Sequence, residues 1–425
     1  MALRVIVVGA GIAGLCAAVA LRQAGHTVTI FEKSQFATEI GAALAVSPNG
    51  ALVLQSIGFD FARARACRRR SWEVVDGTTL SRIAIQVMEE DDNKSVGFWT
   101  VHRVDLHQEL LRLAQDVDPD KDAGFPTPPP PVEIRLASPV VDVDPVAGSV
   151  RLSDGSVHAA DLVIGADGLH SAIRASVIPH LKSPVVTGMS AFRFLLPTEA
   201  FASNPTLERF IERTNRGSIL FADTVDTVNE RHLIWYSCRG GEVQNFAGIH
   251  PTRPNTSNSD FKSDMIEEFV HFHPSVREAM NLAEDVKCWP LLIHEPLHTW
   301  CFHKVLLIGD AAHAMLPFGG QGANQAIEDA GALAALFKSI TPAGIPARLA
   351  LFEEVRRKRA SRVQVLSSVR VGREAEVQEQ LKEFMEPGMP VPNTFSSRLD
   401  HDSKYNVLEE CVRKLASLGQ SYIKV

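Results

Sequence analysis

The sequence predicts an α/β fold: a parallel sheet that is interrupted by an inserted, mainly antiparallel β-sheet domain and followed by a C-terminal helical segment. Three observations predict it. A continuous apolar strand opens the chain, several strand-like runs with turns occupy residues 185–292, and alternating strand and helix patterns return after residue 305. The parallel sheet is therefore predicted to be discontinuous in sequence.

Composition restricts the classes of partner. Hydrophobic residues make up 45% of the 425 residues and the formal net charge is −7, which is typical of a globular protein without a general basic surface for nucleic acid. No apolar run reaches the roughly 18 residues that a membrane-spanning helix requires. The first strand begins at Leu3 with no targeting leader ahead of it. We therefore expect a cytoplasmic protein that binds neither nucleic acid nor membrane.

The N-terminal strand and the helix after it enclose a glycine-rich turn. The strand covers residues 3–8, the helix is predicted over 12–24 and a second strand over 27–31, which completes a βαβ unit. The turn between them is Gly9-Ala10-Gly11-Ile12-Ala13-Gly14. In this context the glycines permit a tight turn, close approach to a pyrophosphate and helix–strand packing, so they predict a Rossmann-like dinucleotide-binding domain.

An acidic residue follows the second strand of this unit. Glu32 stands where a carboxylate accepts hydrogen bonds from an adenosine ribose, and its charge would repel the 2′-phosphate of NADP. The start of the preceding helix directs its dipole at the phosphates. The fingerprint alone does not distinguish FAD from NAD. Its predicted dinucleotide contacts are Gly9, Gly11, Ala13, Gly14, Glu32 and Lys33.

Two later segments favour FAD over NAD as the bound dinucleotide. Asp167-Gly168 follows a predicted strand over 161–165, and Gly309-Asp310 follows another over 305–308. Ligands of open α/β sheets bind beyond such strand ends. A carboxylate at Asp310 can bind the ribityl hydroxyls of a flavin. The glycine-rich helix start after residue 316 can donate to the N1–O2 region of the flavin ring and stabilise its reduced anion.

With these three motifs in this order and spacing, the chain resembles the group A flavoprotein monooxygenases of the para-hydroxybenzoate and salicylate hydroxylase type, particularly their fungal members. The resemblance runs from about residue 3 to about residue 370. It implies FAD, transient reduction by NADPH or NADH without a second nucleotide domain, and O2 as co-substrate. One oxygen atom would enter a small aromatic or alkene-containing substrate through a C4a-hydroperoxyflavin. A monomer or weak homodimer is expected.

The resemblance also implies a division of the chain. Residues 1–184 and 285–340 would form a discontinuous FAD-binding domain of the glutathione-reductase type, together with part of the substrate-site wall. Residues 185–284 would form the substrate domain, and residues 341–425 a C-terminal helical region that includes a long charged helix over roughly 346–380.

Individual contacts follow from the matched motifs. Asp310 is expected at the ribityl chain, Glu32 at the adenosine ribose and Arg103 at the pyrophosphate, while Asp167 belongs to a motif linked to both FAD and the nicotinamide. Further predicted FAD contacts are Gly41, Ala42, Pro317, Gly320, Gly322, Ala323 and Asn324.

Two departures from the family pattern concern the flavin loops. Ala314 stands where many relatives have proline, which affects the contacts of that loop. The segment Gly41-Ala42-Ala43-Leu44 offers no His, Cys or Tyr for a covalent link, so the FAD is expected to be non-covalent.

Arg193 and Tyr236 are the candidate catalytic residues. Arg193 interrupts the apolar strand over 191–196, where a charge needs a partner or a purpose. It could orient the substrate, hold a phenolate or donate a proton, and the equal alternative is an arginine that points outward from the sheet. Tyr236 could assist with its hydroxyl, against the alternative of a packing role.

The histidines do not predict a metal site. His294 and His298 have i, i+4 spacing with His303 nearby, but Pro296 argues against a helix and no Cys or Asp completes a ligand set. His313 is interpreted as a structural residue near the flavin.

Two runs of basic residues, 68–70 and 356–359, could attract the phosphate of NADPH. Such runs usually form solvated faces, so neither is assigned to the cofactor.

Three functions therefore stay open. Hydroxylation of a phenolic or other electron-rich ring leads, and epoxidation of an indole or alkene in specialised (secondary) metabolism uses the same chemistry. A FAD-binding oxidoreductase that inserts no oxygen, or that holds FAD only structurally, is the alternative of a different class.

Overall fold

The computed structural model describes residues 2–35, 42–88, 96–116, 129–181, 184–202, 204–226, 228–229, 231–253, 260–386 and 388–419. The predicted flavin contact Gly41 and most of the proline-rich stretch over 118–131 lie outside these ranges.

The strands include those predicted over 3–8, 27–31, 161–165 and 305–308. In chain order they are β1 (Arg4–Val8), β2 (Thr27–Phe31), β3 (Ala43–Val46), β4 (Cys67–Arg68), β5 (Ser71–Asp76), β6 (Arg82–Val87), β7 (Trp99–His102), β8 (Glu133–Arg135), β9 (Val140–Asp144), β10 (Ser149–Leu152), β11 (Val157–Ala159), β12 (Leu162–Gly165), β13 (Val185–Pro197), β14 (Gly217–Ala222), β15 (His232–Cys238), β16 (Val243–Pro251), β17 (Lys287–Ile293), β18 (Cys301–Phe302) and β19 (Val305–Leu307).

The helices cover the sheet faces and the C-terminal part of the described chain. They are α1 (Ile12–Gln23), α2 (Pro48–Ser56), α3 (Arg103–Gln115), α4 (Ala172–Val177), α5 (Pro205–Thr214), α6 (Phe261–Glu268), α7 (Pro274–Asn281), α8 (Asp310–His313), α9 (Gly322–Phe337), α10 (Ile345–Leu366), α11 (Gln378–Lys382), α12 (Phe395–Ser403) and α13 (Val407–Ser417).

The predicted parallel sheet is present. Within the described ranges it has six strands in the order β18-β19-β12-β1-β2-β8, parallel except for the short β18. Every residue of β12 is buried, as expected for a strand covered on both faces. Helix α1 packs against α9 and α3, and these helices and the sheet share one apolar core. The Rossmann-like α/β prediction is confirmed.

The second large sheet is mainly antiparallel. Its described strands are ordered β17-β13-β16-β15-β14-β5-β6, and only the β14–β5 pair is parallel. One face carries a separate aromatic core in which Phe194 stacks on Phe246 at 4.5 Å. Strands β5, β6 and β17 lie outside the predicted substrate-domain range of 185–284, and that division of the chain stays a prediction.

The predicted long C-terminal helix is shorter than expected. The long helix expected over 346–380 ends at Leu366, and the chain turns at Gly372 (φ 90°) before α11 begins. Helix α3 begins at Arg103 and is capped by His102, whose Nδ1 accepts the Val104 N–H at 3.3 Å. None of the helices in the described ranges combines the length and apolar character that crossing a lipid bilayer requires.

Candidate active site

A cavity of about 440 Å³ lies at the carboxyl ends of β1, β12 and β19 and reaches the antiparallel sheet. It therefore lies where open α/β sheets bind ligands. Most of the predicted site residues meet on its wall. They are Gly11, Ala13, Ala42, Arg103, Arg193, Tyr236, Asp310, Pro317, Gly320, Gly322 and Ala323.

The three fingerprint glycines have different surroundings. A Cβ added to Gly9 (φ 98°) would lie 2.6 Å from the Ala166 carbonyl oxygen, and one added to Gly14 would lie 1.9 Å from the Gly9 oxygen. Both positions therefore serve close packing. A Cβ on Gly11 would meet no described atom within 4 Å, so the backbone there borders open space on the cavity wall. This cradle fits a pyrophosphate approaching the start of α1.

Glu32 is held in place by backbone donors. It is 9% exposed, and its carboxylate accepts the Ala10 N–H at 2.7 Å and the Ser34 N–H at 2.8 Å. A carboxylate offers about four acceptor positions, so acceptors remain for ribose hydroxyls. Lys33 is exposed and does not line the cavity.

Asp310 lies at the first position of α8, exposed on the cavity wall. The turn before it, Gly309 (φ 58°), approaches Ala13 closely, since an added Cβ would lie 2.7 Å from the Ala13 Cβ. The buried Asp329 holds this turn by accepting the Gly309 N–H at 2.9 Å, and it also bonds His313 Nε2 at 2.7 Å. These contacts support the structural interpretation of His313.

Two predicted cofactor residues lie behind the wall. Asn324 is fully buried, and its amide donates to the carbonyls of Ala45 (3.0 Å) and Gly320 (2.9 Å), which ties the glycine loop to β3. Asp167 accepts from Ser171 Oγ at 2.5 Å and from the Ile173 N–H at 3.1 Å, at the start of α4. Neither side chain lines the cavity.

Arg193 points into the site and not outward from the sheet. It lines the cavity, its buried Nε has no hydrogen-bond partner in the described chain, and its guanidinium lies 5.9 Å from the Trp289 ring centre. Burial lowers its pKa.

Tyr236 is tethered to β3. Its hydroxyl donates to the Ala43 carbonyl at 2.8 Å, and burial raises its pKa. This contact supports the alternative of a packing role for Tyr236, although its side chain lines the cavity.

A second cavity of about 150 Å³ adjoins the first. The two share wall residues, which are Trp72, Arg193, Ile234, Ala247 and Pro317. The remainder of the second wall has an apolar part with Leu220, Ile249 and Phe318 and a charged part with Asp223, Arg231 and Arg370. It has the character of a substrate compartment beside the nucleotide compartment.

His232 lines this second cavity and was missed by the sequence interpretation. Within the described chain its ring makes no hydrogen bond, and burial, with a smaller effect of Arg370, lowers its pKa to about 3. The imidazole is therefore neutral and keeps one acceptor nitrogen. His232, Ile234 and Tyr236 alternate along β15 and all line the two cavities, so period-two alternation was the available signal.

The two basic runs are not simply solvated faces. Arg69 is 5% exposed and lines the first cavity, while Arg356 and Arg359 are buried against Glu328. The surface prediction is wrong for these three arginines because a neighbouring element covers each of them.

His294, one of the histidines considered above as a metal ligand, contacts an arginine. His294 is buried and its Nε2 lies 2.7 Å from Arg174 Nη2. Over the residues that the structure describes, no group of three or more His, Cys, Asp or Glu side chains is arranged to hold a metal ion. The expectation of no metal stays a prediction.

Comparisons with known proteins agree with this geometry. Residues 2–367 match the family described as FAD binding domain. The hispidin-3-hydroxylase of Neonothopanus nambi is 34% identical, over 84% of this chain and 86% of its own length. The FAD-dependent monooxygenase cfoG of Aspergillus candidus is 34% identical over 99% of this chain and 96% of its own. A solved salicylate hydroxylase in its substrate complex has a TM-score of 0.72 and 25% identity, covering 97% of this chain and 98% of that one.

Proposed function

Because this chain belongs to the FAD binding domain family and is a FAD-dependent monooxygenase, we propose that it hydroxylates a small phenolic ring with O2 and NADPH or NADH. The observation that carries this proposal is the second cavity, where a neutral imidazole and an unpaired guanidinium face an apolar compartment beside the nucleotide site.

The first cavity would hold the FAD non-covalently. Gly11 leaves room for the pyrophosphate, Arg103 supplies a positive charge, and Asp310 supplies an acceptor for the ribityl hydroxyls. Glu32 is not on the cavity wall, and its carboxylate, which accepts the Ala10 N–H, would reach the ribose hydroxyls beyond it. The chemistry that FAD supplies when bound is hydride acceptance from the nicotinamide and activation of O2 for transfer of one oxygen atom.

The second cavity sets the substrate size. Its volume of about 150 Å³ matches the engineered apolar cavity that binds one benzene molecule. Walls formed by Trp72, Ile249 and Phe318 exclude water and contact a flat ring. An indole or a long alkene would need more space, so the volume favours a single ring.

Two polar groups would activate that ring. The guanidinium of Arg193 can stabilise the phenolate form of the substrate, and the neutral imidazole of His232 can accept a hydrogen bond from the phenol hydroxyl and so orient the ring. A phenolate ring is more electron-rich and accepts an electrophilic oxygen more readily. An alkene has no hydroxyl to donate to an acceptor at this place, so His232 favours hydroxylation of a phenol.

The names of two similar proteins also support hydroxylation. One is a hydroxylase of hispidin and another is a salicylate hydroxylase, and hydroxylation is the reaction that both names state. We retain a monomer or weak homodimer and a cytoplasmic location as predictions.

The test is a stopped-flow experiment on the FAD-loaded protein. It would be reduced anaerobically by NADPH or NADH with a panel of monocyclic phenols, matched methyl ethers and cyclic alkenes, and then mixed with ¹⁸O2. We expect phenols to accelerate reduction and to return as products that carry one ¹⁸O atom. Epoxidised alkenes together with unchanged phenols would contradict the proposal.

A substitution of His232 tests whether the second cavity contributes to the reaction. His232→Leu removes the acceptor nitrogen, so kcat/KM with phenols should fall about tenfold while FAD stays bound. The loss should shrink as the pH approaches the pKa of the phenol itself. An unchanged kcat/KM would remove His232 from the reaction.

A further inference from the structure

Helix α12 lies behind the walls of the two cavities. The ring centre of Phe395, its first residue, is 5.9 Å from that of Trp72, which lines both cavities. The helix begins well after residue 367, where the family match ends. The walls of the site therefore depend on a part of the chain that the cofactor motifs do not include.

Arg398 of this helix is buried against the segment that follows α10. It is 2% exposed, and its Nη1 donates to the Val369 carbonyl at 3.1 Å. The same nitrogen lies 3.6 Å from the buried Glu374, whose carboxylate accepts the Gly372 N–H at 3.0 Å. Arg398 therefore holds one end of the segment over 369–372 directly and the other end through Glu374.

The two residues between these anchors line the second cavity. They are Arg370 and Val371. The guanidinium of Arg370 lies 5.7 Å from the ring centre of Phe318, which lines the same cavity and belongs to the glycine loop. A shift of the segment over 369–372 would therefore change the shape of the proposed substrate compartment.

The guanidinium of Arg398 also contacts the glycine loop. A Cβ added to Gly319 would lie 2.6 Å from Arg398 Nη2 and 3.2 Å from the Ser367 Oγ. Gly320, the next residue, lines the first cavity, where the FAD would bind. One side chain therefore contacts both the loop at the flavin and the segment at the substrate.

Two buried carboxylates keep this guanidinium in place. Besides Glu374, Asp402 lies 3.8 Å from Arg398 Nε, and it is 3% exposed. A guanidinium that moved away would leave buried charges unpaired, which is unfavourable. Arg398 therefore holds the loop and the segment at a fixed separation.

We propose that Arg398 is a positioning residue: it fixes Arg370 and Val371, on the wall of the substrate compartment, relative to the glycine loop at the flavin. This inference rests on the proposed function. Arg398 lines neither of the two cavities, so it acts through its neighbours. Where the two walls are no longer aligned, electrons from NADPH or NADH reduce O2 to H2O2 instead of supporting hydroxylation of the ring.

The experiment compares Arg398→Met with the unaltered protein, both loaded with FAD. Arg398→Met should raise KM for phenol about tenfold, and most of the NADPH or NADH consumed should yield H2O2. The visible circular dichroism of the bound FAD should change before any substrate is added. Asp400→Asn is the control, because Asp400 pairs with Lys404 at 3.0 Å on the exposed side of the same helix.

Gly319→Ala tests the same contact without removing a charge, so it stays informative if Arg398→Met does not fold. Its Cβ would displace Arg398 Nη2, and we expect the same change in flavin dichroism and the same release of H2O2. Gly344→Ala is the matched control, because its Cβ would meet the Ile340 Cβ at an ordinary contact distance of 3.8 Å.

Two results would overturn the proposal. One is that Arg398→Met and Gly319→Ala lower the melting temperature but keep the flavin dichroism, KM and product yield of the unaltered protein, as expected for a purely structural contact. The other is that the two control variants reproduce their effects. If the unaltered protein hydroxylates no phenol, the proposed function fails, and the flavin dichroism still decides whether Arg398 positions the glycine loop.

Discussion

Gly11 and Gly14 lie three residues apart in the same turn, but replacing them should affect different properties of the protein, FAD affinity for Gly11 and stability for Gly14. Gly11 has φ −70° and ψ −174°, which alanine adopts freely, and its added Cβ enters the space on the cavity wall. Gly11→Ala should therefore lower FAD affinity about tenfold or more and change the free energy of unfolding of the apoprotein by about 1 kcal/mol at most.

Gly14→Ala is the matched comparison. Its Cβ would meet the Gly9 oxygen at 1.9 Å, so α1 must move away from β1, at a cost of roughly 1–3 kcal/mol or more. Flavin titration and urea denaturation of the two apoproteins measure both quantities. The assignment fails if Gly14→Ala leaves the urea midpoint unchanged or Gly11→Ala shifts it more.

At the scale of single residues, the sequence predicts backbone-determined positions better than side-chain directions. Gly11 and Asp310 were predicted because a strand end and a turn determine where they lie. Asn324 was predicted at the flavin and instead ties Gly320 to β3, because its direction depends on a contact with a distant strand. Arg69 was interpreted as part of a solvated basic run, although it is buried on the wall of the first cavity.

At the scale of elements, buried charges connect α9 to α10. Arg356 Nε lies 2.9 Å from Asp329 Oδ1, and Arg356 also bonds Glu328, all with fully buried side chains. Arg356→Met would leave two buried carboxylates with too few partners, and we expect it to lower the free energy of unfolding by about 3–5 kcal/mol.

The control for that prediction lies two residues along the same helix. Lys358 pairs with the exposed Glu386 at 3.1 Å, so Lys358→Gln should change stability by no more than about 0.5 kcal/mol. Guanidinium denaturation followed by circular dichroism measures both variants. Equal losses in the two variants would show that the buried network contributes no more than a surface pair.

Strands and helices could be predicted from the sequence where a local pattern of apolar residues specifies them. Strand β12 lies within its predicted range of 161–165, whereas strands β5 and β6, at one end of the second sheet, were not predicted at all. Strand β5 acquires its position by pairing in parallel with β14, more than a hundred residues later in the chain. No local periodicity encodes such a long-range pairing.

At the scale of the whole molecule, buried histidines should make the protein sensitive to acid. Burial lowers the pKa of His26, His102, His232, His250, His294 and His401. The unfolded chain takes up protons as the pH falls below about 6.5, whereas the folded chain resists protonation. Stability is therefore greatest above pH 6.5 and declines as the pH falls.

His232 allows the size of this effect to be measured. With a folded pKa of about 3, it should account for about 2 kcal/mol of the stability lost between pH 6.5 and 4.5. Melting temperatures recorded across that range should fall less steeply for His232→Gln than for the unaltered protein. Parallel profiles would mean that His232 is protonated equally in both states.

The position of β1 in the parallel sheet has a consequence for biosynthesis. Its neighbour β2 leaves the ribosome soon after it, but its other neighbour, β12, begins only at Leu162, and β19, which pairs with β12, only at Val305. During translation the edge of β1 that later pairs with β12 therefore stays unpaired while the remainder of the domain is synthesised. The nascent chain needs protection over that interval, and the cofactor cradle is completed only after most of the polypeptide has emerged.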